Sequence, residues 1–203
     1  MIPVALGFRA HSGWAACVAL RATTSLPEVL ERRRVELVAP GAASWAKQPY
    51  HAAHGLDPGE VEDVVRRAIA AAHERAQREV ASIADHLRAR GCRVVGLGIA
   101  LGSPMPDWSV AQILAVHARM HQAEGELFRW ALRRAAEMHD LPVTGIPERQ
   151  LLGCVAEALE LPADEVGRRI ADIGRSAGRP WARDQKDATL VAWLALRVSQ
   201  ALG

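Results

Sequence analysis

Near the C-terminus, the run Trp181-Ala182-Arg183-Asp184-Gln185-Lys186-Asp187-Ala188 places two carboxylates three residues apart at the start of a helical pattern. On a helix that spacing puts both side chains on one face, which suits the edge of a divalent-cation site. The first apolar segment, Val4-Ala5-Leu6-Gly7-Phe8-Arg9, has no carboxylate to complete such a site and offers Arg9 instead. A guanidinium there repels a metal ion and attracts Asp184, Asp187 or a phosphate. The turn that follows carries Arg9, His11 and Ser12 between Gly7 and Gly13. Its side chains and backbone amides could cradle a phosphate, although it lacks the spacing of a P-loop or dinucleotide fingerprint. An ordinary hairpin with glycines at its ends is the competing reading.

A second constellation lies in the long apolar pattern from 109 to 139. At 100° per residue, His117, His121 and Glu124 share one stripe with Ile113, Leu114, Phe128 and Leu132, so they are expected at the centre of a buried face. Buried polar groups need partners. Either the three form a ligand set for Zn²⁺ or another divalent ion, or an acid/base group beneath a pocket, or they bond to one another and only specify packing. No metal ligand is assigned on sequence grounds. His51 and His54 have ligand spacing but sit in a Pro/Gly-rich stretch without a neighbouring acid or thiol, so they are set aside. Trp130 and Trp193 fall off the apolar stripes of their helices and point to a homodimer contact.

The elements that must position these residues follow from periodicity. Strands are expected at 4–8, 14–20 and 34–39, then a loop over 40–58, a helix to about residue 90, and a continuous apolar strand at 93–101. A helix over 109–139, a short strand at 142–145 and helices at 148–161, 163–177 and 184–201 complete the order. A chain of 203 residues suits one domain, here 1–203, and with 50% hydrophobic but only 4% aromatic residues its core must be aliphatic. A net charge of +2, with basic residues interspersed among acids, gives no bulk pull towards DNA. No window is apolar enough to span a membrane and no signal-like N-terminus is present, which gives the expectation of a cytoplasmic protein. Cys17, Cys92 and Cys154 lack zinc or disulfide spacing and are expected to be reduced core thiols.

With Gly7 closing the first strand and Asp184-x-x-Asp187-Ala188 opening the last helix, the chain resembles the ribonuclease H-like superfamily, in its Holliday-junction-resolvase branch. The resemblance implies an α/β fold with a five-stranded mixed sheet, three antiparallel strands first, and helices on both faces. It also implies two-metal hydrolysis by carboxylates from the first strand, the central strand and the last helix. Here the first strand offers Arg9 and the central strand no carboxylate. One expectation is therefore a relative that has lost nuclease activity and binds nucleic acid or a phosphorylated small molecule near Arg9, Asp184 and Asp187. The alternatives are a hydrolase or phosphotransferase with a relocated site on His117, His121, Glu124 and the C-terminal aspartates, and a non-catalytic homodimer.

Overall fold

Three strands form at the N-terminus, β1 (Ile2–His11), β2 (Trp14–Arg21) and β3 (Glu28–Glu36), and they pair antiparallel. In the computed structural model, which describes residues 1–201, β4 (Cys92–Leu101) joins the free side of β1 in parallel, and β5 (Val143–Pro147) joins β4. The sheet is mixed and five-stranded, as the sequence resemblance implies, and its strand order is β3-β2-β1-β4-β5. Among the described residues seven α-helices accompany it: α1 (Pro49–Ala53), α2 (Pro58–Ala89), α3 (Val110–Leu114), α4 (His117–Glu137), α5 (Leu151–Leu159), α6 (Ala163–Ala177) and α7 (Arg183–Ala201). None of the described helices is long and apolar enough to cross a membrane.

Strand alternation divides the core in two. Val4, Leu6 and Phe8 of β1 face α2 and α4, where Val80, Ile83, Phe128 and Leu132 close one layer. Ala5 and Gly7 face the other way, onto α7. There a Cβ on Gly7 would lie 1.9 Å from the Ala188 carbonyl oxygen, and one on Gly98 of β4 would lie 2.2 Å from that of Val191. Only glycine lets the helix backbone come this close to the strands.

Three expectations are corrected. The third strand lies at 28–36 rather than 34–39, because it is an edge strand. Its Glu28, Glu31 and Arg32 to Arg34 look like a solvated run, yet they pair with β2 along its length. The helix expected over 109–139 is broken at Val116, whose backbone is extended, and Arg119 donates to the freed Gln112 carbonyl at 2.9 Å. Trp193 is buried, not a dimer contact, because α7 is covered by the sheet on one side and by α5 and α6 on the other. A single apolar stripe is a poor guide to such a sandwiched helix.

Gly98→Ala is expected to destabilise the protein by about 2–3 kcal/mol through overpacking against α7. Gly153→Ala, which meets open space on the exposed side of α5, should instead stabilise it by about 0.5–1 kcal/mol. Urea unfolding of the two variants reads both signs.

Candidate functional site

Because β1 and α7 run past one another, each two-residue step along the strand meets about one turn of the helix. Ala5 packs with Ala195 and Leu196, Gly7 lies against Ala188 and Ala192, and Arg9 reaches Asp184 and Asp187. The partners of Arg9 in the flanking strands are Ala16 and Ala100, whose small side chains leave room for the guanidinium. Ala100 in turn pairs with Ile146 of β5. Two residues beyond Ile146, Glu148 arrives on the same side and completes the cluster.

Arg9 Nη1 donates to Asp184 Oδ1, and Nη2 donates to Glu148 Oε2 at 3.2 Å. Nε lies 3.1 Å from Asp187 Oδ2, close enough for an ion pair but not aligned for a hydrogen bond. The Arg9 side chain is only 12% exposed, so it is a held group rather than a free surface cation. Arg183 adds a second positive charge, 3.4 Å from Asp187 and 3.6 Å from Glu148. Burial pushes the Asp187 carboxyl above its ordinary range, with Glu148 adding to the push and Arg9 and Arg183 opposing it. Burial pulls the Arg9 guanidinium down, but Glu148 and Asp184 outweigh it and hold the group above its usual value.

His11 Nε2 lies 3.2 Å from Asp184 Oδ1, and its ring stacks on Trp14 with centroids 4.2 Å apart. The Arg34 guanidinium sits 3.9 Å from the Trp14 ring centre. A row of His11, Trp14 and Arg34 thus runs from the carboxylates to the edge of the sheet. Arg32 ties that edge to the entry of α7 by donating to the carbonyls of Gly178 at 2.7 Å, Arg179 at 2.9 Å and Pro180. Ser12 is exposed at the tip of the β1–β2 turn, outside the carboxylate cluster.

Two divalent ions need several carboxylate oxygens left free to bridge and flank them. Here the first strand supplies a guanidinium, the central strand supplies Ala100 at the matching position, and the three carboxylates already surround Arg9. The residues present do not fit a two-metal centre.

The polar residues of α4 go elsewhere. α4 packs on the face of the sheet opposite α7, so His117, His121 and Glu124 do not join the C-terminal aspartates in one site. Glu124 is fully buried, as predicted, but His117 and His121 are exposed, because the buried stripe of α4 runs through Met120, Ala123, Glu124 and Leu127 and leaves the two histidines outside it. The set-aside His51 lies on α1 and docks here: its Nδ1 is 2.8 Å, and its backbone N–H 3.2 Å, from Glu124 Oε1. Sequence reasoning missed Glu148, which resembles a helix cap, although continuing the β5 alternation from Ile146 would have pointed to it. It missed His51 because nothing local shows where that segment lands.

No protein-family model and no curated protein matches the sequence. Solved structures do. T. thermophilus RuvC in complex with Holliday junction substrate aligns with a TM-score of 0.56 at 11% identity, over 95% of this chain and 92% of that one. A second Thermus thermophilus RuvC structure aligns with a TM-score of 0.51 at 13% identity, over 98% and 96% of the two chains. The chain shares the fold of these RuvC structures, the ribonuclease H-like fold that the sequence resemblance implies.

Replacing Arg9 by Met should cost about 3 kcal/mol at neutral pH, since it leaves a partly buried carboxylate cluster short of its main cation. The loss should shrink on acidification. A carboxyl whose folded pKa is raised, as at Asp187, contributes stability that is fully present below its unfolded value and lost as pH rises through the raised one. Without Arg9 that rise is larger. Urea unfolding at pH 7.5 and pH 5 is the check, and an equal loss at both values would contradict this account.

Proposed function

We propose that this chain is a resolvase-type nucleic-acid-binding protein that does not carry out two-metal hydrolysis. One observation carries the reading: Arg9 sits among Glu148, Asp184 and Asp187, where the chemistry would require free carboxylates. Binding is supported by the fold, since one structure of similar fold is RuvC in complex with a Holliday junction. It is also supported by exposed cations around the same end of the sheet. Arg183 is 71% exposed, Arg34 lies beside Trp14, and Lys47 flanks the β1–β2 turn. Arginines beside an aromatic ring suit a phosphate backbone and an unpaired base.

Fluorescence anisotropy with a four-way junction and with single-stranded DNA tests this. Binding should weaken with salt, with a log–log slope near −0.9 per phosphate contact, thus about −3 for three cations on duplex arms. Arg34→Ala and Arg183→Ala should each flatten that slope by about one contact. A phosphorylated small molecule would use the same cations, and competition by free nucleotide at low concentration would favour it over DNA. Absence of DNA binding at low salt sinks the binding half of the proposal. Junction cleavage by the wild type in Mg²⁺ or Mn²⁺ sinks the other half.

The reading includes a homodimer through Trp130, which is 54% exposed on α4 and stands beside Met105 and Leu127. An exposed Trp next to apolar side chains is the kind of anchor that stabilises an interface. Sedimentation equilibrium should show a dimer that Trp130→Arg converts to a monomer. A wild type that stays monomeric at every concentration would rule this contact out.

A further inference from the structure

The histidine cluster on the opposite face of the sheet has no part in that function. We propose that His51, His117 and His121 form a binding site for a divalent transition-metal cation of the zinc class, with buried Glu124 as the group that orients His51.

Three rings from two helices meet here. Their centroids are 4.4 Å apart for His51 and His121, 4.6 Å for His117 and His121, and 4.9 Å for His51 and His117. None of the pairs is stacked; the planes are turned by 48° to 88°. One ring nitrogen from each residue lies within 4.8 Å of the others. Zinc–nitrogen bonds of ~2.0–2.1 Å in tetrahedral geometry place ligand nitrogens about 3.3 Å apart. Side-chain rotation of the exposed His117 and His121 closes that gap without moving the core.

The buried part of the cluster is prepared for an ion. A carboxylate accepts hydrogen bonds, so in the neutral His51 imidazole the 2.8 Å contact to Glu124 places the proton on Nδ1 and leaves the lone pair on Nε2. That Nε2 is buried and has no hydrogen-bond partner. A histidine held by a carboxylate through one nitrogen and presenting the other is how metal-ligating imidazoles are fixed. Glu124 is fully buried and one of its oxygens, Oε2, has no hydrogen-bond partner. Among the described residues the groups within 4.0 Å ion-pair distance of it are His51 and His121, and no Lys or Arg. A cation on the imidazoles would compensate this carboxylate. An all-imidazole set selects zinc-like ions over Mg²⁺ and Ca²⁺, which prefer oxygen ligands. Since His117 and His121 face solvent, a fourth position remains open to water.

The test uses the untagged 203-residue chain, titrated with Zn²⁺, Co²⁺ and Mg²⁺. We expect one Zn²⁺ or Co²⁺ bound per chain, a visible absorption band with Co²⁺, and no response to Mg²⁺. At a hundredfold excess over the dissociation constant, Zn²⁺ should raise the melting midpoint by roughly 5–10 °C. His121→Ala, at a position whose side chain is 53% exposed, should fold normally and lose both the band and the shift. Glu124→Gln should weaken binding by about 10–100-fold. If that buried variant does not fold, His121→Ala decides alone. A wild type that shows neither band nor shift overturns the proposal. So does a response that survives in the His117→Ala/His121→Ala double variant, which would place the ion elsewhere.

Discussion

The approach of α7 to the sheet governs what the rest of the molecule can do. Two glycines, one on β1 and one on β4, let the helix backbone rest on the strands at a distance that a methyl group would prevent. This seating fixes both the height and the rotation of α7. Its first turn then has one place to put Asp184 and Asp187, over the end of β1. The small residues Ala16 and Ala100 on either side of Arg9 keep that place open. Chemistry at the sheet end is a consequence of backbone packing several residues away.

What fills that place is a balance of charge. Burying carboxylates is costly unless a cation or several donors accompany them. A metal is one solution and a guanidinium is another. Arg9 brings five N–H groups in a planar fork, suited to meeting several carboxylates at once. On the other face, Glu124 is buried with imidazoles for company. The same physical problem, a carboxylate out of water, is met there by groups that are themselves ready to bind a metal.

How far the sequence reveals these sites depends on what sets each residue's position. Arg9, Asp184 and Asp187 lie on regular elements, so the two-residue alternation of a strand and the phase of a helix suffice to aim them together. Glu148 enters on a single turn of 3-10 helix just past β5, and its direction depends on how that short strand ends. His51 belongs to a five-residue helix inside a Pro/Gly-rich stretch, and only the docking of that helix on α4 gives it a role. The misreadings have the same origin. Trp193 looks outward only if α7 has an outside, and the charged residues of β3 look like loop only until β2 is there to pair with them. Local pattern carries the fold; long-range docking carries the second half of each site.

The charged character of β3 has one more effect. As an edge strand, it presents backbone groups that any extended chain could pair with. It carries three consecutive arginines, Arg32 to Arg34, with Glu28, Glu31 and Glu36 around them, and Arg32 is already bound to the segment leading into α7. A strand from another molecule would have to displace Arg32 from its carbonyls and lie along a row of charges. Growth of the sheet from one molecule into the next is therefore discouraged at this side, and the protein stays open to partners that approach its end and its helices.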